Sequence, residues 1–234
     1  MGRSAERTRA LAHDPVRAIA AVFAERPTRR EGDRELPLGP KATRTRTTIL
    51  EAASVTFVRA GYLHTSVGDI AEEAGVSLGT VYQYFRDRSD IVAALVQHSV
   101  GSMLERTDVV WHAADGPDGL RRIIENFVAA YTTTAPMAGV WEEVCFVEPE
   151  LASLRRALGQ LFTGAVEREL REAAGKGLVL SDLDPALAAR ALTGMVDRYC
   201  YVTYVFDPPA AGAPSPEESA AVLTRIWAGG VGLA

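Results

Sequence analysis

Cysteine is nearly absent from this chain: Cys145 and Cys200 are the only two, and they stand far apart. That excludes a disulfide-stapled scaffold and a cysteine-built metal centre. Both lie in apolar helical patterns, so they read as buried free thiols, as a reducing cytoplasm would leave them. The four histidines, at 13, 64, 98 and 112, are equally scattered. No metal and no cofactor is expected. Aromatic residues make up only 7% of the chain, and no segment alternates with period two long enough to argue a strand. No apolar run reaches the ~18 residues of a membrane helix, and the start lacks the apolar core of a signal peptide. A cytoplasmic protein without a membrane partner is the expectation. There is no phosphate-cradling Walker loop, dinucleotide fingerprint or nucleophile elbow. Glu142 and Glu143 are adjacent, so a helix points them in different directions. They make a poor acid/base pair and read better as a solvated face plus one carboxylate at a pocket edge. An enzyme is not expected.

What the chain does have is apolar substance and alanine. Hydrophobic residues are 47% of its 234 positions, enough for a sizeable core, and the composition favours helices. The charge is uneven. Residues 1 to 90 hold 14 basic and 12 acidic side chains, whereas 91 to 234 hold 11 and 18. Through Arg46, 11 basic residues face 6 acidic ones. The overall −5 therefore hides a basic front end on an acidic body, which suits phosphate binding at one end only.

Thr65 to Arg88 is the stretch around which the rest is organised. Ser66 can cap a helix whose third residue, Asp69, completes a capping box. Ile70, Ala71 and Ala74 share a face, and Gly75 stands where that helix must stop. Ser77 caps a second helix, Leu78 to Phe85. Two capped helices joined around a glycine read as a helix-turn-helix, the unit that lays its second helix in the DNA major groove. Val81 and Phe85, four apart, anchor that helix inward. Thr80, Tyr82, Gln83 and Tyr84 are hydrogen-bonding groups on a helix too short to need them for solubility. Gly79 lets backbone approach a phosphate, as do orphan N–H groups near Ser66 and Ser77.

G-V-S-L-G-T-V-Y-Q-Y-F followed by R-D-R-S-D-I resembles the DNA-binding signature of the TetR family of bacterial repressors. The resemblance covers about residues 44 to 95. It implies an all-α fold: an N-terminal three-helix helix-turn-helix DNA-binding domain at 41–90 and a C-terminal helical ligand-binding and dimerisation domain at 91–234. Residues 1–40 form a basic N-terminal extension, expected to be partly disordered. The family usually has lysine where this chain has Arg88; arginine keeps the charge and adds a planar fork, so a phosphate clamp is expected there, with a solvated surface arginine as the alternative. Gly68 brings no side chain to a position where the family often has a longer polar one.

In chain order, Asp14-Pro15 with Val16, Ile19, Val22 and Phe23 reads as a capped amphipathic helix inside the extension. Arg29, Arg30, Arg34, Arg44 and Arg46 are candidates for a minor-groove arm. Thr45 to Ala60 forms the floor of the DNA-binding domain, with Tyr62 packed beneath the helix-turn-helix. A long helix then runs from Arg88 to about Trp111. Helices follow at about 119–134, closed by Pro136, at 137–147, at 150–174, from Asp184-Pro185, and from Ser215-Pro216.

The expected function is a homodimeric regulator, most readily a repressor, on a pseudo-palindromic double-stranded operator, because one reading helix spans only a few base pairs. Leu78 and Gln83 are the candidates for base reading, through a thymine methyl and a bidentate adenine contact. Arg44, Arg46, Ser66, Ser77, Gly79, Thr80, Tyr82, Tyr84 and Arg88 complete the DNA-binding set. A small-molecule effector, hydrophobic or aromatic, is expected among Trp111, Phe127, Tyr131, Met137, Trp141, Phe162, Met195 and Tyr199. These are also residues that simply fill cores. The resemblance implies dimerisation through the last two helices, at Ala188, Ala191, Met195, Val202, Val222, Ile226 and Trp227. Control by a protein partner or by no ligand, with the C-terminal domain only a dimerisation scaffold, is the alternative.

Overall fold

The computed structural model describes residues 39–106, 111–207 and 212–233, with backbone alone for 102–106. The extension expected before Pro40, including the helix after Asp14 and Arg29, Arg30 and Arg34, lies almost wholly outside them. The described residues form helices and no strand: α1 (Pro40–Ala60), α2 (Val67–Glu73), α3 (Leu78–Tyr84), α4 (Arg88–Arg106), α5 (Gly116–Val147), α6 (Pro149–Gly175), α7 (Pro185–Tyr201) and α8 (Pro216–Val231). A short 3-10 turn (Ala113–Asp115) precedes α5, and a π turn (Val202–Phe206) extends α7. The all-α expectation holds. None of these helices is long and apolar enough to cross a membrane.

Contacts divide the described chain into two units. The first, here the head, joins residues 39–100 to Pro136–Arg155. The second, the body, joins 101–135 to the described residues from Arg156 onward. The linear division near residue 90 misses this, because the stretch after Pro136 packs with residues some eighty positions earlier.

The head is built from local signals. Ile49, Ala53 and Phe57 repeat along one face of α1 and are fully buried, as are Ile70, Val81, Ile91 and Val92. Gly61 stops α1 at φ +79°, a left-handed state that favours glycine. Tyr62 follows, fully buried with its ring 5.7 Å from that of Phe57, as expected of a residue beneath the helix-turn-helix.

Two element boundaries differ from the sequence expectation. Pro136 does not end a helix; α5 runs through it as one 32-residue helix. A proline removes one N–H and crowds the preceding turn, yet Ala135, Val140 and Val144 are buried around it and outweigh that loss. The hydroxyls of Thr132, Thr133 and Thr134 donate to the Ala129 and Ala130 carbonyls one turn back, which keeps these polar groups paired within the helix. The helix that begins at Arg88 is described only to Arg106, and Trp111 lies in non-helical chain.

The core of the body joins Trp111, Leu120, Ile124, Val128, Leu170, Val196, Cys200, Leu223 and Trp227. Asp184 caps α7 by accepting from the N–H groups of Ala186 and Leu187, and Ser215 and Glu218 form a reciprocal capping box on α8. Neither cysteine is in a disulfide; Cys200 is buried and Cys145 half-buried.

Candidate nucleic-acid interface

α2 and α3 form the helix-turn-helix, and its caps are those the sequence spells. Ser66 Oγ accepts from the Asp69 N–H at 3.1 Å. Asp69 Oδ2 accepts from the Ser66 N–H and hydroxyl, both at 2.7 Å. Those bonds hold the Asp69 carboxyl below its ordinary pKa, the Ser66 hydroxyl contributing most. Gly75 turns the chain at φ +65°, and the Val76 N–H closes the α2 end on the Ala71 carbonyl at 3.0 Å. Ser77 Oγ then accepts from the Thr80 N–H at 3.1 Å and lies 2.8 Å from the Thr80 hydroxyl.

The reading helix α3 is two-sided. Val81 and Phe85 point into the head and are buried. Leu78 and Tyr82 are 46% and 52% exposed, and Gly79 and Gln83 are exposed beside them, with Thr80 and Tyr84 half-exposed. An apolar leucine and a tyrosine held in water on a seven-residue helix have no packing purpose in the monomer. A thymine methyl and a phosphate would each give them one.

The basic candidates separate. Arg44 is exposed on the first turns of α1. Arg46 is half-buried, its guanidinium 5.3 Å from the centre of the Phe85 ring, and burial lowers its pKa while Asp90 opposes that fall. Arg88 is drawn furthest from the expected role. Its Nη1 donates to the carbonyls of Tyr62, Leu63 and Thr65 at 3.1, 3.4 and 3.1 Å, and its guanidinium sits 4.4 Å from the Tyr62 ring centre. That side chain holds the turn after α1. At the same corner Asp90 accepts from the Arg86 N–H and its guanidinium, and Asp87 caps α4 by accepting from the Asp90 N–H.

Glu143 and Glu148 are the residues that sequence reasoning misplaced or missed. Glu143 is no pocket-edge carboxylate: it accepts from the backbone N–H groups of Tyr62 and Leu63. Glu142 pairs with Arg155. Glu148 accepts from the Tyr62 hydroxyl. The partners are 80 to 86 positions apart, so no local pattern announces them.

The expected effector residues are divided. Met137 and Trp141 belong to the head unit, and the other six to the body. Trp111 fills the body core edge-on to Trp227, ring centres 6.0 Å apart. Phe127, Tyr131, Met195 and Tyr199 pack against that core half-buried, Tyr199 with its hydroxyl 3.0 Å from Ser219 Oγ. Phe162 is half-buried on α6.

One expected interface residue is corrected. Trp227 is only 5% exposed and lies inside the body core. The buried stripe of α8 runs Ala220, Leu223, Trp227 and Val231, which a helix period places together. Val222 and Ile226 fall opposite, 55% and 53% exposed. On α7, Leu187 and Ala191 are exposed and Ala188 and Met195 half-buried, with Val202 half-buried in the π turn.

Residues 49–95 match the sequence model of the bacterial regulatory proteins of the tetR family. The chain is 26% identical over 158 residues to the fatty acid metabolism regulator protein of Bacillus subtilis, an alignment spanning 64% of this chain and 78% of that one. It is 26% identical over 166 residues to the transcriptional regulator TtgR of Pseudomonas putida, covering 67% and 79%. Among solved structures, NalD of Pseudomonas aeruginosa, the secondary repressor of the MexAB-OprM multidrug efflux pump, superposes with a TM-score of 0.64 at 22% identity, over 81% of this chain and 98% of that one. FadR of Bacillus halodurans, a fatty acid degradation regulator, gives 0.62 at 22% identity, over 82% and 96%. These relatives are regulators and not enzymes. Residues 49–95 thus carry a helix-turn-helix of the tetR type, and the chain resembles the helix-turn-helix transcriptional regulators of that family.

Proposed function

We propose that the protein is a cytoplasmic homodimeric repressor that leaves a pseudo-palindromic operator when a small hydrophobic or aromatic molecule binds residues 91–234. The observation that carries the DNA half of this reading is the two-sidedness of α3: Val81 and Phe85 hold it from beneath while Leu78, Tyr82 and Gln83 stand in solvent. Gln83 reads a base edge, Leu78 touches a thymine methyl, and Tyr82 and Tyr84 hold phosphates. Arg44 adds an exposed positive charge near the start of α1. Ser66, Ser77, Gly79 and Thr80 stand at the two helix starts, where hydroxyls and the side-chain-free Gly79 backbone meet the phosphates.

Dimerisation is supported by the outward apolar residues of α7 and α8. Leu187, Val222 and Ile226 are each more than half exposed, and Ala191 beside them is small enough for close helix approach. The effector reading is supported by the half-buried Phe127, Tyr131, Met195 and Tyr199. In the same core the indole N–H groups of Trp111 and Trp227 and the Thr224 hydroxyl are buried with no hydrogen-bond partner among the described residues. That suits an effector carrying an acceptor. The Bacillus subtilis relative is a fatty acid metabolism regulator, which agrees with an apolar effector.

The test is selection of bound duplexes from a random pool. A two-fold pattern of half-sites about one helical turn apart, or a little more, is expected; recovery of single unpaired sites overturns the dimeric reading. Thermal shift with long-chain fatty acids and planar aromatic compounds separates effector control from a scaffold governed by a protein partner, since ligand-bound native protein gains stability with concentration.

A further inference from the structure

The turn after α1 is gripped from three sides. Glu143 Oε2 accepts from the Tyr62 N–H at 2.9 Å, and Oε1 from the Leu63 N–H at 3.1 Å. Glu148 Oε1 accepts from the Tyr62 hydroxyl at 2.6 Å. Arg88 covers the Tyr62 ring at 4.4 Å and donates to carbonyls on the far side of the turn. Gly61 permits the approach: a Cβ there would stand 3.2 Å from Glu143 Oε2. All these residues belong to the head unit.

Burial of Phe57 and Tyr62 already secures the fold of α1 against α2 and α3, and apolar packing is not directional. The carboxylate bonds add direction. One carboxylate spans two consecutive amides, and a second sits at the other end of the same tyrosine. Two separated charge-assisted links, unlike one, remove the freedom of the helix-turn-helix to swivel on the end of α5.

We propose that Glu143 and Glu148 are positioning residues for operator binding. They lock the reading helix to the Pro136–Arg155 stretch as one rigid piece, so that the protein itself, and not the DNA, sets the distance between the two reading helices of a dimer. This rests on the dimeric-operator reading above. With the grip broken, each head must be ordered at the moment of binding, which weakens binding to the best site. The same looseness lets the dimer tolerate a wrong spacing.

The experiment uses the full-length protein and the operator recovered by selection, with duplexes in which the half-site separation is one base pair shorter or longer. Native protein should fall sharply in affinity on either altered duplex. Glu143→Gln offers one acceptor where two N–H groups converge, and Tyr62→Phe and Glu148→Gln remove or weaken the second link. Each should bind the best duplex about tenfold more weakly, as loss of a charge-assisted hydrogen bond implies, while the penalty for altered spacing shrinks. The Tyr62→Phe, Glu148→Gln pair should be no worse than the more affected single variant, because both act on one bond. Equal weakening on every spacing, with the native profile preserved, marks a merely structural role and overturns the proposal. Unchanged affinity and profile in all variants also overturns it. If the native protein shows no spacing preference, the dimeric-operator reading falls as well; a native preference kept intact by the variants sinks the positioning claim alone.

Discussion

The Arg88 guanidinium lies over the Tyr62 ring, 4.4 Å from its centre, and donates to the Tyr62 carbonyl at 3.1 Å. One side chain thus starts α4 and closes the turn after α1. Its charge at a helix start resembles a phosphate clamp in sequence, but its hydrogen bonds run inward.

Arg88→Lys keeps the charge and removes the planar fork. It should destabilise the protein by about 1–2 kcal/mol through lost stacking and carbonyl bonds, read as a lower urea midpoint. The salt dependence of operator binding should be unchanged. A slope reduced by about 1 would place Arg88 on a phosphate instead.

Gln83→Ala and Tyr82→Ala should separate base reading from backbone holding. The glutamine variant is expected to lose about 1–3 kcal/mol of discrimination at one base position. The tyrosine variant should weaken all sequences alike. Binding measured on a panel of single-base operator variants distinguishes the two patterns, and a uniform loss for Gln83→Ala removes it from the reading set.

Ile226 and Trp227 are neighbours in sequence with opposite fates. Ile226→Asp should leave a folded monomer, because a charge in the exposed apolar face of α8 opposes association without touching the core. Trp227→Ala should instead destabilise the body by about 3–5 kcal/mol. Sedimentation and helical circular dichroism, measured on both variants, check the assignment. A dimeric Ile226→Asp would move the interface elsewhere.

Alkaline pH should lower stability. Burial lifts the Cys200 thiol from 9.0 to about 12, and burial first, then the bond to Glu148, pushes Tyr62 above its usual 10.0. In both cases the unfolded chain releases its proton first. Stability from these groups is complete below pH 9, and it is lost progressively as pH rises toward the folded values. The urea midpoint should fall from about pH 9 upward, and Cys200→Ala should remove part of that slope. A midpoint that rises over this range contradicts the sign.

Much of the head was legible because its determinants are local. Ser66, Asp69, Gly75 and Ser77 lie within a dozen residues and act on backbone beside them. The period of Ile49, Ala53 and Phe57 names a buried face without reference to anything distant. Pro136 shows where such reasoning fails. A proline breaks an isolated helix, but burial of Ala135, Val140 and Val144 belongs to tertiary packing and reverses the local preference. Trp227 fails the same way, since its type suits an interface and a core equally.

The order of residues settled the caps, the turn and the outward tyrosine of the reading helix, because each follows from chemistry within one or two helical turns. Folding alone decided that Glu143 and Glu148 would close on Tyr62, that Arg88 would turn inward and that Trp227 would be core. Those outcomes depend on surfaces brought together across stretches of chain from some two dozen to more than a hundred residues, where hydrophobic burial places the backbone first and directional bonds form only between the groups it has made neighbours.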